Sequence, residues 1–224
     1  MSQPLARSPI RPSDPLTVLA GWEVSARRAT GALTLTDCTP LTKIQIKAPV
    51  TGTVAAAIGV PFGRARKNEA DVLVVGSGPG EWLLIGSPGQ AADLAASVAD
   101  VVGPAETTGP AETNGHAETD GHAPGDYASS TDLTHGRALI RLTGPSSADL
   151  LSTMCGIDLS DAATPDGAAF RSSVAALATD VVRDDVSGVR SYLLHCERSS
   201  GQYLFDTLLS AGRDLGIEID GFTP

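Results

Sequence analysis

Aromatic residues are scarce in this chain of 224 residues: two Trp, three Tyr and four Phe, 4% in all. A core of this composition has to be built mostly from Val, Leu, Ile and Ala. Cations are also in deficit, 16 Lys and Arg against 26 Asp and Glu for a net charge of −10. That balance argues against non-specific nucleic-acid binding, which needs clustered cations to neutralise phosphates. Cysteine occurs three times, at Cys38, Cys155 and Cys196. The odd count, wide spacing and absence of a Cys-x-x-Cys pair predict small buried hydrophobes rather than a disulfide framework, which suits a reducing cytoplasm. No apolar run approaches a membrane span, and the N-terminus has no apolar signal-peptide core, so a cytoplasmic location without membrane association is expected. There is no Gly-x-Ser-x-Gly elbow, no His-Glu-x-x-His and no Walker lysine.

What is present is a pattern written twice. Residues 44–49 read Ile-Gln-Ile-Lys-Ala-Pro and residues 140–145 read Ile-Arg-Leu-Thr-Gly-Pro. Each is an alternating strand stopped by proline and followed by a short helix that ends at a glycine, Gly59 or Gly156. Trp82-Leu83-Leu84 leads to Ser87-Pro88-Gly89-Gln90, as Tyr192-Leu193-Leu194 leads to Ser199-Ser200-Gly201-Gln202. Both read as an aromatic-led strand followed by the Ser-x-x-Gln signature of a helix start. The fold class expected is α+β, with two pseudo-repeated strand–helix–strand–strand–helix halves. The sheets should be mainly antiparallel, with helices packed on one face.

The organisation read from the chain has four parts. Residues 1–15, with Pro4, Pro9, Pro12 and Pro15, form an extended arm that orders only against a partner. Residues 16–102 form the first half. Its strands are expected at 32–36, 42–47, 72–75 and 82–85, with helices at 53–58 and 88–101, the last carrying Pro88 at its first position. Residues 103–128 contain a hexapeptide repeated three times over 104–121. With no large apolar residue there, a disordered acidic insert is expected. Residues 129–224 form the second half, with strands at 137–143, 173–182 and 189–196 and helices at 147–155 and 200–214. Ser146 should cap the first of these helices, and Tyr203, Leu204, Leu208 and Leu209 of the last should face the sheet.

The sharpest local motif is Val72-Leu-Val-Val-Gly-Ser-Gly-Pro-Gly80, a strand running into glycines. A dinucleotide site needs a helix directly after the glycines, whose amides hold the pyrophosphate. Glu81-Trp82-Leu83-Leu84-Ile85 is β-like instead, so a hairpin is expected. Arg64, Arg66 and Lys67 read as a solvated basic loop. His116 and His122 lie in the insert without a preformed site. His135 and His195 sit at strand margins and read as structural. Asp180 and the pair Asp184–Asp185 are expected in solvent. No catalytic, cofactor-binding or metal-binding residue is assigned.

Several short pieces together resemble a known family. Asp132-Leu133-Thr134-His135-Gly136-Arg137 leads a strand ending Leu142-Thr143-Gly144-Pro145. Cys155-Gly156-Ile157-Asp158-Leu159 follows, Arg198-Ser199-Ser200 opens the last helix, and Gly78-Pro79-Gly80-Glu81-Trp82-Leu83 marks the first half. These resemble the gamma subunit of heterotetrameric sarcosine oxidase, itself similar to the folate-binding part of the glycine-cleavage aminomethyltransferase. The resemblance implies a subunit without its own active site, assembled with alpha, beta and delta subunits. That complex oxidises sarcosine to glycine with formation of hydrogen peroxide and one-carbon transfer to tetrahydrofolate. FAD, FMN, NAD and tetrahydrofolate would then be held by the other subunits. The transferase's Asp-Asp pair is reduced here to Asp180 in Ala178-Thr179-Asp180-Val181. The alternative is a stand-alone folate-binding or aminomethyltransferase-like protein.

Overall fold

The computed structural model describes residues 5–102 and 127–224. The acidic hexapeptide repeat therefore lies outside the described residues. Two sheets lie face to face, each with helices on its outer side. The strands of the first half are β1 (Ala6–Arg7), β2 (Leu16–Leu19), β3 (Trp22–Ser25), β4 (Leu33–Asp37), β5 (Thr42–Lys47), β6 (Ala65–Lys67), β7 (Leu73–Gly78) and β8 (Glu81–Gly86). Its helices are α1 (Thr53–Ile58) and α2 (Ala91–Val102). The second half carries β9 (Ser129–Asp132), β10 (Arg137–Thr143), β11 (Ala169–Val174), β12 (Leu177–Arg183), β13 (Ser191–Glu197) and β14 (Ile217–Asp220), with α3 (Ser147–Ser152) and α4 (Gly201–Ala211).

One sheet runs β6-β7-β8-β5-β9 and the other β11-β12-β13-β10-β4-β14. Only β14 joins its sheet in parallel, beside β4; the other pairs in these two sheets are antiparallel. Strand period two explains the layering. In β13, Tyr192, Leu194 and Cys196 point to the core shared with Leu204, Phe205 and Leu208 of α4. Leu193 points the other way, into a core shared with Leu73, Val75, Leu83 and Ile85 of the facing sheet. On the far side of that sheet, Ile44, Ile46, Trp82 and Leu84 pack with Val54 of α1 and Leu94 and Val98 of α2. Both sheets are buried on both faces, so their central strands carry few charges.

The halves trade strands. β4 precedes the first repeat in sequence but pairs with β10 of the second; β9 precedes the second repeat but pairs with β5 of the first. The crossings are reciprocal to the atom. Cys38 N donates to Leu139 O and Leu133 N to Lys43 O, both at 2.8 Å. Thr39 Oγ1 accepts from Leu139 N at 3.2 Å, and Thr134 Oγ1 accepts from Lys43 N at 3.0 Å. Asp37 and Asp132 each accept from the amide two residues on, at 2.9 and 2.8 Å, the side-chain turn that short carboxylates favour. A repeated Asp-x-Thr, at 37–39 and 132–134, is thus the joint where each half enters the other.

Several expectations need correction. The strand expected over 173–182 is a hairpin, β11 to β12, turned by Ala175 and Ala176 at φ of 50° and 64°. Two alanines in left-handed backbone carry none of the usual Asn-Gly signal of such a turn. α2 begins at Ala91, not Pro88; Gln90 Oε1 accepts from Ser87 N at 3.0 Å, so the box forms as a turn ahead of the helix. In the second half Gln202 Oε1 is taken by Arg11 N at 2.7 Å, and a 3₁₀ turn (Arg198–Ser200) starts the last helix. The Ser146 side chain makes no capping bond. Tyr203 is exposed, and Phe205 takes the sheet-facing place expected for it.

Residues 1–4 of the proline-rich arm lie outside the described residues, and from residue 5 on it packs against its own chain. Ile10 is 1% exposed inside the core under α4, and Arg198 Nη2 donates to Arg7 O at 2.6 Å. Burial of one aliphatic side chain anchors the arm with about 2 kcal/mol. β1, β2 and β3 form a small third sheet in the order β1-β3-β2. Trp22 and Val24 of β3 close one end of the inter-sheet core.

Candidate functional site

The glycine run is a hairpin. β7 and β8 pair antiparallel, with a bulge between Gly76 and Gly78 and Gly80 at φ +71°. A β-strand, not a helix, follows the glycines. They serve close approach: a Cβ on Gly76 would stand 2.2 Å from Pro61 O, and one on Gly80 2.4 Å from Ala48 O. Trp82 is buried, its indole Nε1 donating to Val60 O at 2.7 Å.

Between the sheets lies a polar layer that sequence reasoning missed in part. Lys43 on β5 has no exposed surface, and its Nζ donates to Thr39 O and Leu41 O, both at 2.7 Å. Burial lowers its pKa to about 8, against the opposing charge of Asp37. Burial pushes the Asp37 carboxyl up, opposed by hydrogen bonds from Ser8 and Thr39. On the other sheet Asp180 of β12 lies opposite His195 of β13. Their Oδ2 and Nδ1 are 3.3 Å apart, and Asp180 accepts from Arg171 at 2.5 and 3.2 Å. Burial raises the Asp180 pKa, but the bonds from His195 and Arg171 outweigh it and hold the carboxyl below its ordinary range. Burial holds His195 below the usual imidazole range, partly offset by Asp180.

Asp180, expected in solvent, is therefore half-buried and shared between the Arg171 guanidinium and the His195 ring. The His–Asp pair has the composition of a general base, but His195 is 5% exposed and its Nε2 has no partner among the described residues. Proton transfer to a substrate needs the base within hydrogen-bond reach of it. His195 lines neither of the two open concavities, of about 460 and 340 Å³, among the described residues. His135 is not part of this group; its ring stacks on Trp22 at 4.8 Å.

The Asp184–Asp185 pair is likewise not solvated. Asp184 accepts from Arg141 Nη2 at 2.6 Å, and Asp185 accepts from Arg183 Nε and Nη2 at 3.1 and 3.0 Å. Arg141 also donates to Ser191 Oγ at 2.9 Å. This fixed guanidinium stands on one wall of an open cleft of about 340 Å³ at the end of the inter-sheet layer. Thr34, Thr36 and Thr143 share that wall. Lys67 of β6 and Asp71 of the loop before β7, paired at 2.8 Å, also line the cleft with the apolar Leu41, Leu73, Ile85 and Leu193. The volume is in the range of small-molecule sites, while the lining is more polar than theirs, with Lys67, Asp71, Arg141, Asp184 and Asp220 all charged. Burial pushes the Cys38 thiol, at the bottom of the cleft, up to about 11, which makes it a poor nucleophile.

Among the described residues no group of three or more His, Cys, Asp or Glu could hold a metal ion. His116 and His122 lie outside the described residues. All three cysteines are buried and free. Among the described residues no helix is long and apolar enough to cross a membrane. The repeated Asp-x-Thr was the one signal that could have located the buried Lys43 and Asp37 from sequence.

Comparison with known proteins fits this architecture. A chain of the heterotetrameric sarcosine oxidase from Corynebacterium sp. U-96, in complex with pyrrole 2-carboxylate, superposes with a TM-score of 0.63 at 22% identity. The match covers 84% of this chain and 88% of that one. The glycine cleavage system aminomethyltransferase T from Bartonella henselae superposes with a TM-score of 0.62 at 16% identity, over 92% of this chain and 55% of that one. At these identities the likeness is one of fold. No curated protein matches the sequence. The family described as GCVT N-terminal domain matches residues 106–223, more than half of the 224. With the α+β sheets, their outer helices and that match in one chain, this protein belongs to the GCVT N-terminal domain family.

Proposed function

We propose that this chain is the gamma-type subunit of a heterotetrameric sarcosine oxidase, acting in assembly without an active site of its own. The observation that carries the reading is one of size. The chain and the matched sarcosine oxidase chain account for most of each other, whereas this chain spans about half of the aminomethyltransferase. The buried His195 ring and the high thiol pKa of Cys38 support it, since neither is poised for chemistry. In this reading the partners are alpha, beta and delta subunits, and FAD, FMN, NAD and tetrahydrofolate are held by them. The complex would oxidise sarcosine to glycine in the cytoplasm, release hydrogen peroxide and pass the one-carbon unit to tetrahydrofolate. Tagged chain recovered from its native cell should bring down larger flavin-bearing chains with a visible flavin spectrum. Recovery of the chain by itself, colourless, sinks the reading.

The cleft beside Arg141 favours a second reading, a stand-alone folate-binding or aminomethyltransferase-like protein. Titration of the isolated chain with tetrahydrofolate decides it: saturable binding that Arg141→Met weakens would support this reading over the first.

A further inference from the structure

A second concavity lies on the outer side of the first half, between the Pro79–Gly80 turn and residues 59–62. It has a volume of about 460 Å³, and none of its lining residues is charged. Phe62, 61% exposed, and Val50, 60% exposed, stand at this groove. In a chain with only four Phe, that is a costly place for one. The groove is also stiff. Gly76 and Gly80 hold the backbones of Pro61 and Ala48 closer than any side chain would allow, and the Trp82 indole bonds Val60. A site with fixed walls loses little ordering entropy when it is filled.

Charge marks what fills it. Arg66 reaches the Gly59 end of the groove, its guanidinium 3.2 Å from where a Gly59 Cβ would stand. Neither Arg64 nor Arg66 forms an ion pair among the described residues. In a protein of net charge −10, Arg66, without an ion pair among the described residues and at the end of an uncharged groove, complements an acidic surface.

We infer that this groove is a docking site for a larger partner subunit, taking an apolar anchor side chain carried on an acidic segment. The inference rests on the subunit reading above and names the face that reading uses. Buried aromatic anchors at the centre of such contacts dominate their energy.

The test uses the assembly recovered with the tagged wild-type chain. The flavin-bearing partner is separated from it and titrated with full-length wild type, Phe62→Asp, Val50→Asp and Arg66→Glu, followed by analytical ultracentrifugation. Phe62→Asp and Val50→Asp should each weaken binding about 30-fold, with the melting temperature of the isolated chain unchanged because both residues are exposed. Arg66→Glu should cost about three- to tenfold, and that loss should shrink as salt rises. Wild-type affinity in both aspartate variants overturns the groove while leaving the subunit reading intact. A wild-type chain that recovers no flavin-bearing partner overturns both. Dimers of the isolated chain that Phe62→Asp dissociates would assign the groove to a second copy and overturn the partner.

Discussion

The two halves hold their second hairpins in place by different means. In the second half the turn after β12 is bound by charge. Arg183 bonds Asp185 at 3.0 Å and Asp161 at 2.5 Å and donates to Thr164 O at 2.8 Å, while Arg190 also grips Asp161. In the first half the turn after β7 is tied mostly by backbone and close contact. Ala48 N donates to Gly80 O and Gly63 N to Gly76 O, both at 3.0 Å, and the glycines lie against the carbonyls of Pro61 and Ala48. Lys47–Glu81 adds a surface ion pair at 2.9 Å. One scaffold therefore presents a salt-linked hairpin on one side and an uncharged groove on the other. The difference teaches that the repeat fixes where backbone goes, while the ties between its elements are free to diverge and to leave different surfaces.

The contrast can be broken most severely on the charged side. Arg183 is buried, so Arg183→Ala leaves Asp185 without its partner, and stability should fall by about 4 kcal/mol in a urea titration. On the contact side, Gly76→Ala drives a methyl into Pro61 O and should cost about 3 kcal/mol, with the 59–62 segment losing amide protection first. Ile10→Ala should cost about 2.5 kcal/mol, because the arm is packed on its own core. An unchanged melting temperature on deleting residues 5–15 would contradict that packing.

Acid sharpens the comparison more gently. The pKa of Asp180 is held down by His195 and Arg171, and that of Asp161 by Arg183. A depressed carboxyl contributes stability above its unfolded pKa, and the contribution is lost as pH falls through the folded value. His195, also depressed, acts in the same direction: its contribution is complete above about pH 6.5, the ordinary imidazole value, and is lost as pH falls below it. From pH 6.5 to 3, amide exchange should therefore rise in β11–β13 before it rises in β7–β8. Equal loss in both halves would remove the distinction.

Much of the local structure was legible. Strands 42–47 and 137–143 and helix 53–58 coincide with β5, β10 and α1, since alternation and proline stops act over a few residues. The hairpin reading of the glycines holds for the same reason. What escaped depends on distant partners. The Ala175–Ala176 turn has no turn residue to mark it. Arg11 takes the acceptor that Gln202 would have used as a cap, and it lies 191 residues away in sequence. The places of Asp180, Asp184 and Asp185 follow from arginines on neighbouring strands, which charge composition alone cannot pair. β2, β3 and β14 are short, and no periodicity builds up over four residues.

The traded strands carry a consequence for synthesis. When residues up to 102 have left the ribosome, β5 still lacks β9 and β4 has no sheet to join, because both neighbours are encoded beyond residue 128. The nascent chain must wait, with apolar ribbon open, until its C-terminal portion emerges. A protease that nicks the finished molecule between 103 and 126 should leave two fragments that stay together, woven by strands that neither can take back.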